Sequence, residues 1–513
     1  MYYWRRINII VFAILLLLLV PSVFGLLQKG FFVTDDGTWM IIRLSAFFDT
    51  LRDGQIPVRF LERLNNGYGY PVSNFLYPGY LYIGSIVHLV GFSFIDSIKI
   101  IFAFSIVLSG IFTYFWLKKI FDPISSLIGS LFYVYAPYHL YDVYTRGSVG
   151  EVLALMWVPL VLWCIGRKNL VLTSWAIFLL VLSHNSLALL MLPIIFIYGL
   201  LRHESKRTIL SISLGLAMSS FFVVPAVFEL AYTKFSSVSV SSPHEYFADI
   251  NLIGYSSVIA FALLALTLVK VKATKTLPNK SVLILFGITF LISLFLSTQL
   301  SSMIWNTPIS SVLQFPFRTL SFAIVSSSFI VAFAVSKWKG AIQIAVSFVL
   351  ILVLGYSAIS YILPRERVDF PDEYYSTNMD TTTVKDEYMP TWVKNKPLSM
   401  YKDKFELVSG NATIDIKNVN SRLAVAEIAL SGPSVIRFNN IYYPGWEAYI
   451  GYNKIPITYD NELGVMDVSL AQSQGTLTFI FRETPLRLVS DLITLLAIIF
   501  SFFIAIRPLL KFK

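Results

Sequence analysis

The chain has 513 residues, 56% hydrophobic and only 14% charged, where an ordinary soluble domain carries roughly 25% charged residues. That excludes a water-soluble globular protein, and the excess of 40 lysines and arginines over 30 acidic residues does not describe a nucleic-acid binder. Residues 364–485 hold 12 basic and 16 acidic residues, so the remainder carries 28 against 14, mostly in short loops between apolar runs, which is the footprint of membrane orientation.

The first apolar run, 7–27, is followed by no small-residue cleavage site and reads as an uncleaved first span. Further runs lie near 98–117, 123–140, 152–166, 169–183, 186–201, 208–228, 252–269, 281–298, 319–336, 340–362 and 486–506. Together they predict an α-helical polytopic membrane bundle of about 12 spans. Residues 1–363 make the bundle, 364–485 an extracytoplasmic linker and domain, and 486–513 a final span and cytoplasmic tail.

Residues 78–95 are apolar enough to span, yet contain Gly79, Gly84, His88 and Gly91. If they span, Arg5 and Arg6 face away from the sixteen basic residues in later clusters, from Lys118 and Lys119 through Lys275 to Lys511 and Lys513. If they stay outside the bilayer core, every cluster shares one face. The second arrangement obeys the positive-inside rule, so 78–95 reads as interfacial or re-entrant. Residues 28–97 then form one long extracytoplasmic loop, with both termini cytoplasmic in the plasma membrane.

That loop opens with Asp35 and Asp36, followed by a helical stripe of Met40, Leu44, Phe47, Phe48 and Leu51, which predicts a helix lying on the membrane surface. The aspartates admit two readings: caps on that helix, or a catalytic base or metal ligand at the interface. Arg43, Arg52, Arg59 and Arg63 are either solvated arginines touching head groups or contacts for a phosphate. An aromatic, turn-rich segment containing Tyr70 follows.

The second outer loop brings Asp142, Arg146 and Glu151, where an ion pair and a helix-capping glutamate are the plain readings. His184 lies between two short spans and Arg318 at the mouth of another. Each signal is weak alone, but the charge-based topology projects all of them to one side. There is no P-loop, Rossmann fingerprint, HExxH or paired CxxC, and Cys164 is the only cysteine, which leaves no disulfide framework or cysteine-based metal site.

From residue 405 the pattern becomes period two, with strands at 412–416, 423–428, 435–438, 446–450, 465–468 and 477–481. These predict a β-sandwich with its own core, following an irregular charged linker at 364–404. Tyr442-Tyr443-Pro444-Gly445-Trp446 reads either as a core turn or as a sugar-stacking platform.

The chain resembles the bacterial YfhO-like membrane proteins and those annotated in that group as 6-pyruvoyl-tetrahydropterin-synthase-related. The segments that carry the likeness are Asp35-Asp36, Gly54-Gln55-Ile56-Pro57, Gly67-Tyr68-Gly69-Tyr70-Pro71, Arg146-Gly147-Ser148 before Glu151, His184-Asn185, Gln314-Phe315-Pro316-Phe317-Arg318 and Tyr443-Pro444-Gly445-Trp446. The layout is similar to that of the GT-C glycosyltransferases. The resemblance implies transfer of a sugar from a polyprenyl-phosphate donor to an extracytoplasmic acceptor. Asp35 or Asp36 would match the first-loop acid and Glu151 the second. Arg43, Arg59, Tyr70, Asp142, Arg146, His184 and Arg318 would bind substrate. A divalent cation is a possible cofactor, although the Asp-x-Asp spacing of some members is absent. The rival reading is a non-catalytic transporter or an envelope glycan-binding scaffold.

Overall fold

The computed structural model describes residues 2–237, 243–272, 279–307, 310, 313–362, 366–471 and 474–510; Lys275, Lys511 and Lys513 of the basic clusters lie outside them. In chain order the helices are α1 (Tyr2–Leu19), α2 (Gly37–Arg52), α3 (Gly79–Leu89), α4 (Phe94–Leu117), α5 (Pro123–Val134), α6 (Val149–Gly166), α7 (Leu170–Ser183) and α8 (Asn185–Leu201). Then come α9 (Ser205–Met218), α10 (Ser220–Phe228), α11 (Ile250–Lys272), α12 (Lys280–Ser297), α13 (Leu320–Val335), α14 (Gly340–Ile362) and α15 (Pro485–Leu510). Several start where the sequence supplies a cap. Ser93 accepts from Asp96 N–H at 2.9 Å at the head of α4, and the Asp122 carboxylate accepts from Ile124 and Ser125 N–H at the head of α5.

Among the described residues eight helical segments are long and apolar enough to cross a membrane, and the pair α9–α10, bent by 72°, makes a ninth. Helices α5, α7 and α8 are apolar but have 12, 14 and 17 residues, or about 18, 21 and 26 Å, less than the ~30 Å hydrocarbon core. The run expected at 123–140 stops at Val134 because Ala136 precedes Pro137 and takes an extended ψ of 129°. Segment Pro316–Val335 is buried throughout, the axis around which the others pack. By contrast α11, α12, α14 and α15 turn Phe261, Ile288, Phe348, Leu495 and Phe502 outward; apolar surface of that extent faces lipid.

Helix α3, at 11 residues or roughly 16 Å, is shorter than the hydrocarbon core. Its start abuts the α7–α8 junction so closely that a Cβ on Gly79 would meet the Leu182 carbonyl oxygen at 2.8 Å. Just beyond its other end, Phe94 N–H donates to Asp372 at 2.9 Å, and Lys99 Nζ donates to the Gln28 carbonyl at the exit of the first span at 2.7 Å. Both ends of α3 therefore meet elements at the same end of the bundle. Helix α2 is not an exposed surface helix: Met40, Ile41, Ile42, Arg43, Leu44, Phe47 and Thr50 are all buried, because α3 covers one side and residues 375–382 the other.

The linker is tied down rather than free. Strand β1 (Phe31–Phe32) pairs antiparallel with β2 (Arg367–Val368), and Thr391 N–H donates to the Tyr232 carbonyl at 2.9 Å. Beyond it lie β3 (Phe405–Ser409), β4 (Ala412–Val419), β5 (Leu423–Leu430), β6 (Ser434–Ile441), β7 (Trp446–Ile450), β8 (Asn453–Ile455), β9 (Val465–Leu470) and β10 (Gln474–Phe481). They form antiparallel sheets ordered β4-β5-β10-β7-β8 and β3-β6-β9. Phe438 of one sheet meets Phe479 and Trp446 of the other at ring separations of 4.8 and 5.6 Å.

This β region does not supply all of its own core. Phe60, from the first outer loop, is fully buried against Tyr443, Trp446 and Phe481 at 6.2, 6.4 and 5.9 Å. Ile441 N–H donates to the Tyr68 carbonyl at 2.7 Å. Tyr443 and Trp446 are buried, so they are core and not a sugar platform.

Candidate functional site

The site forms where the segment after α1 lies on the segment between α5 and α6. Asp35 N–H donates to the Thr145 carbonyl at 3.0 Å and Asp36 N–H to the Arg146 carbonyl at 2.8 Å. The approach is possible because Gly147 has no side chain: it sits at φ +68°, and a Cβ there would lie 2.7 Å from Gly37 N and 2.5 Å from Thr34 Oγ1. Thr34 Oγ1 also accepts from Gly37 N–H at 3.0 Å, so threonine supplies the side-chain bond at the head of α2. Asp36 occupies the N-cap position but makes no capping bond. Neither aspartate carboxylate has a hydrogen-bond or ion-pair partner among the described residues. Helix capping, the plain reading of this pair, is therefore not what holds them.

Behind them is a buried cage around Glu151. Its Oε1 accepts from Tyr138 OH and Ser321 Oγ, both at 2.8 Å. Its Oε2 accepts from Arg146 Nη1 at 2.8 Å and Arg318 Nε at 3.2 Å. Arg146 Nη1 also donates to Asp142 Oδ1 at 2.6 Å, while Asp142 Oδ2 is buried without a partner. Phe317 lies 5.0 Å from the Arg146 guanidinium and Phe315 5.2 Å from that of Arg318, holding both planes in place. Arg146 keeps Nε and Nη2, and Arg318 keeps Nη2, without an acceptor among the described residues.

Asp36 lies within electrostatic reach of Arg43, Tyr77, Tyr80 and Arg146, while Asp35 acts on Tyr141 at the rim. Partial desolvation, with the Asp36 charge adding to it, raises the Asp35 carboxyl above its ordinary range against the pull of Arg146. His184 stacks on Tyr77 at 4.8 Å, and its Nδ1 accepts from Leu187 N–H at 3.2 Å. Burial, reinforced by Arg318, pushes its pKa down to about 3. The ring is thus neutral with its proton on Nε2, a hydrogen-bond donor rather than a charge.

Arg43 is buried, donating to Tyr80 OH at 3.3 Å, Thr382 Oγ1 at 3.2 Å and the Thr382 carbonyl at 2.5 Å. Arg59 and Tyr70 are not part of the group. Arg59 is held by Glu483 at 3.2 Å, Asp491 at 2.9 Å and the Phe221 carbonyl at 2.5 Å, and so fastens the first loop to α15. Tyr70 bonds Thr383 and Tyr388 N–H. Tyr77, Tyr80, Tyr138, Ser321 and Thr382 were not legible in the sequence as site residues; only the Arg146–Glu151 spacing hinted at their neighbourhood. Among the described residues no group of three or more His, Cys, Asp or Glu side chains is placed to hold a metal. Glu151 is fully engaged by its four donors and adds no ligand to Asp35 and Asp36.

No family model matches this chain and no curated relative matches it. Among solved structures it is similar to the arabinofuranosyltransferase AftD from Mycobacteria, at 16% identity and a TM-score of 0.47, over 72% of this chain and 28% of that one. It is also similar to the apo oligosaccharyltransferase of Archaeoglobus fulgidus, at 13% identity and a TM-score of 0.43, over 74% of this chain and 57% of that one. The oligosaccharyltransferase AglB of that organism, in complex with an inhibitory peptide and a dolichol-phosphate, aligns at 14% identity and a TM-score of 0.39. The chain therefore spans about a quarter of AftD and just over half of AglB.

Proposed function

We propose that this chain is a membrane glycosyltransferase moving a sugar from a polyprenyl-phosphate-linked donor to an extracytoplasmic acceptor. Its bundle would have about twelve spans, the short α5, α7 and α8 included, and its outer domain would be a β-sandwich. The observation that carries the reading is the pairing of opposites at the site. Two carboxylates without a partner among the described residues, Asp35 and Asp36, stand within electrostatic reach of Arg146, which Glu151 clamps together with Arg318 and which keeps N–H groups without an acceptor among the described residues.

Each part has a chemical use. The acceptor hydroxyl gives its proton to Asp36, its oxygen bonds to the sugar C1, and the bond from C1 to the phosphate oxygen breaks with its electron pair remaining on the lipid phosphate. Arg146 and Arg318 neutralise that phosphate through their free donors. Glu151 is a positioning residue: it fixes both guanidiniums and has no free lone pair left to act as a base. His184 offers a neutral donor beside them.

Asp36→Asn should lower transfer to the cell-surface acceptor by about 10²–10⁴-fold, and Asp35→Asn by less. Protein level should be unchanged, since an accessible isosteric change usually stays within about 0.5 kcal/mol. Full transfer after replacement of both aspartates at a normal protein level would refute their catalytic role, and purified wild-type protein that transfers nothing from a polyprenyl-phosphate-linked donor would leave a non-catalytic scaffold in its place.

A further inference from the structure

Residues 388–392 leave the site and end on a surface patch of a different kind. The Tyr388 ring is buried against Phe75 at 5.2 Å and Phe235 at 5.6 Å, within electrostatic reach of Arg43 and Tyr77. Four residues on, at most ~14 Å of chain, Trp392 lies on the surface. It is half-buried and meets Tyr232 at 6.2 Å, Tyr442 at 5.9 Å and Tyr459 at 5.6 Å. Tyr442 and Tyr459 are also half-buried and stack at 4.1 Å with planes 5° apart, while Tyr232 is 41% exposed. The backbone satisfies the Trp392 indole N–H, which donates to the Tyr442 carbonyl at 3.0 Å. The patch is rimmed by Asp460, paired with Lys394 at 3.1 Å, and by Glu462, which accepts from Asn395 Nδ2 at 2.7 Å.

We propose that this aromatic patch binds a neutral, extended glycan, and that this glycan is the acceptor. The inference deepens the transferase reading by naming the acceptor of its site. A sugar ring presents an apolar C–H face and a margin of hydroxyls. Tyrosine and tryptophan faces cover the first, and carboxylate and amide side chains take hydrogen bonds from the second. The charge of the rim selects against the other occupant of an interfacial aromatic cluster, the lipid head-group layer. Membrane surfaces are anionic and recruit lysines and arginines, whereas the lysines beside these rings, Lys394 and Lys454, are already paired with Asp460 and Glu447, and Glu462 adds a further carboxylate. The 388–392 segment runs from Tyr388, within electrostatic reach of Arg43 and Tyr77, to Trp392, so the patch lies within ~14 Å of chain of a residue that neighbours the site.

The test uses the full-length protein in phosphatidylcholine nanodiscs and a panel of neutral linear hexasaccharides (α-mannan, chitin, cellulose and α-glucan fragments), with binding followed by calorimetry. At least one should bind saturably. Tyr459→Ala, which removes a phenol with no hydrogen bond among the described residues, and Trp392→Ala should each weaken binding about tenfold. Tyr452→Ala, a fully exposed ring on the β7–β8 turn with no ring contact among the described residues, should not. If Trp392→Ala fails to fold, Tyr459→Ala decides alone. Failure of every hexasaccharide to bind, or binding indifferent to both substitutions, overturns the proposal. So does a fluorophore on Tyr459→Cys, in a Cys164→Ala background, whose emission is already that of a lipid environment without sugar. Binding is read without turnover, so a chain that binds glycan through Trp392 and Tyr459 yet moves no sugar from a polyprenyl-phosphate-linked donor sinks the transferase reading, and with it the glycan's part as acceptor, while the binding site stands.

Discussion

Gly147→Ala tests whether the backbone register between the two outer loops sets the chemistry. Two costs follow from the geometry. Alanine in the left-handed region at φ +68° costs about 1–2 kcal/mol. The new methyl would stand 2.7 Å from Gly37 N and 2.9 Å from Gly37 Cα, and relieving such an overlap costs about 1–3 kcal/mol. The sum of roughly 2–5 kcal/mol would lower the melting temperature but need not unfold a protein with ~5–15 kcal/mol of stability. Restoring an ordinary 3.4 Å contact from 2.7 Å moves the 34–37 segment by about 0.7 Å, and Asp35 and Asp36 move with it relative to Arg146. Misplacement of ~1 Å costs about 10²-fold in rate, so transfer should fall roughly 10- to 100-fold in proteoliposomes. Gly432→Ala, where a Cβ meets nothing within 4 Å, is the control. A Gly147→Ala protein that melts early yet turns over at the normal rate would show the contact to be structural only.

Glu151→Gln should cost about 3–5 kcal/mol by leaving two buried guanidiniums short of a counter-charge, lowering detergent-solubilised melting and transfer together; unchanged melting would remove Glu151 from its positioning role. Phe60→Ala should destabilise the β region by about 3–5 kcal/mol, read by limited proteolysis between residues 405 and 481, and a fragment of residues 400–485 should be similarly weak; a fragment as protease-resistant as the intact chain would count against this. Asp35 holds its proton more tightly in the folded state, a destabilisation absent below the ordinary carboxylate pKa and present above the raised one. Asp35→Asn should therefore raise the melting temperature at neutral pH and change it little near pH ~3.5; an equal shift at both would exclude the effect.

The charge pattern predicted that Asp35, Asp36, Arg146, Glu151, His184 and Arg318 share one side of the bundle, and the fold brings the Asp35-Asp36 backbone onto the 145–146 segment and Arg146 and Arg318 onto Glu151. Period-two alternation likewise located strands such as Leu423–Leu430, whose buried positions alternate. Long-range pairing was not legible. Arg43 and Arg59 read as surface cations because nothing nearby neutralises them; their partners are Thr382, Glu483 and Asp491. The Tyr443–Trp446 turn read as a possible platform because exposure depends on what covers it, and Phe60 comes from far upstream. Trp392 and Tyr459 carried no periodic signal, since rings gathered from separate loops leave no spacing behind.

The separation of these partners sets a timetable for biosynthesis. Arg43 donates to a residue 339 positions later, and Arg59 to residues 424 and 432 positions later. At about 5–20 residues per second, the ribosome needs roughly 20–70 s after making Arg43 to deliver Thr382, and longer to deliver Asp491. Throughout that interval Arg43 has at most Tyr80, and Arg59 at most the Phe221 carbonyl, of the oxygen acceptors that finally hold them. The fastening of Arg59 is complete only after Asp491 has been made. Chains truncated before residue 483 would thus keep Arg59 without either of its carboxylate partners, and those truncated before residue 375 would also leave one flank of α2 uncovered.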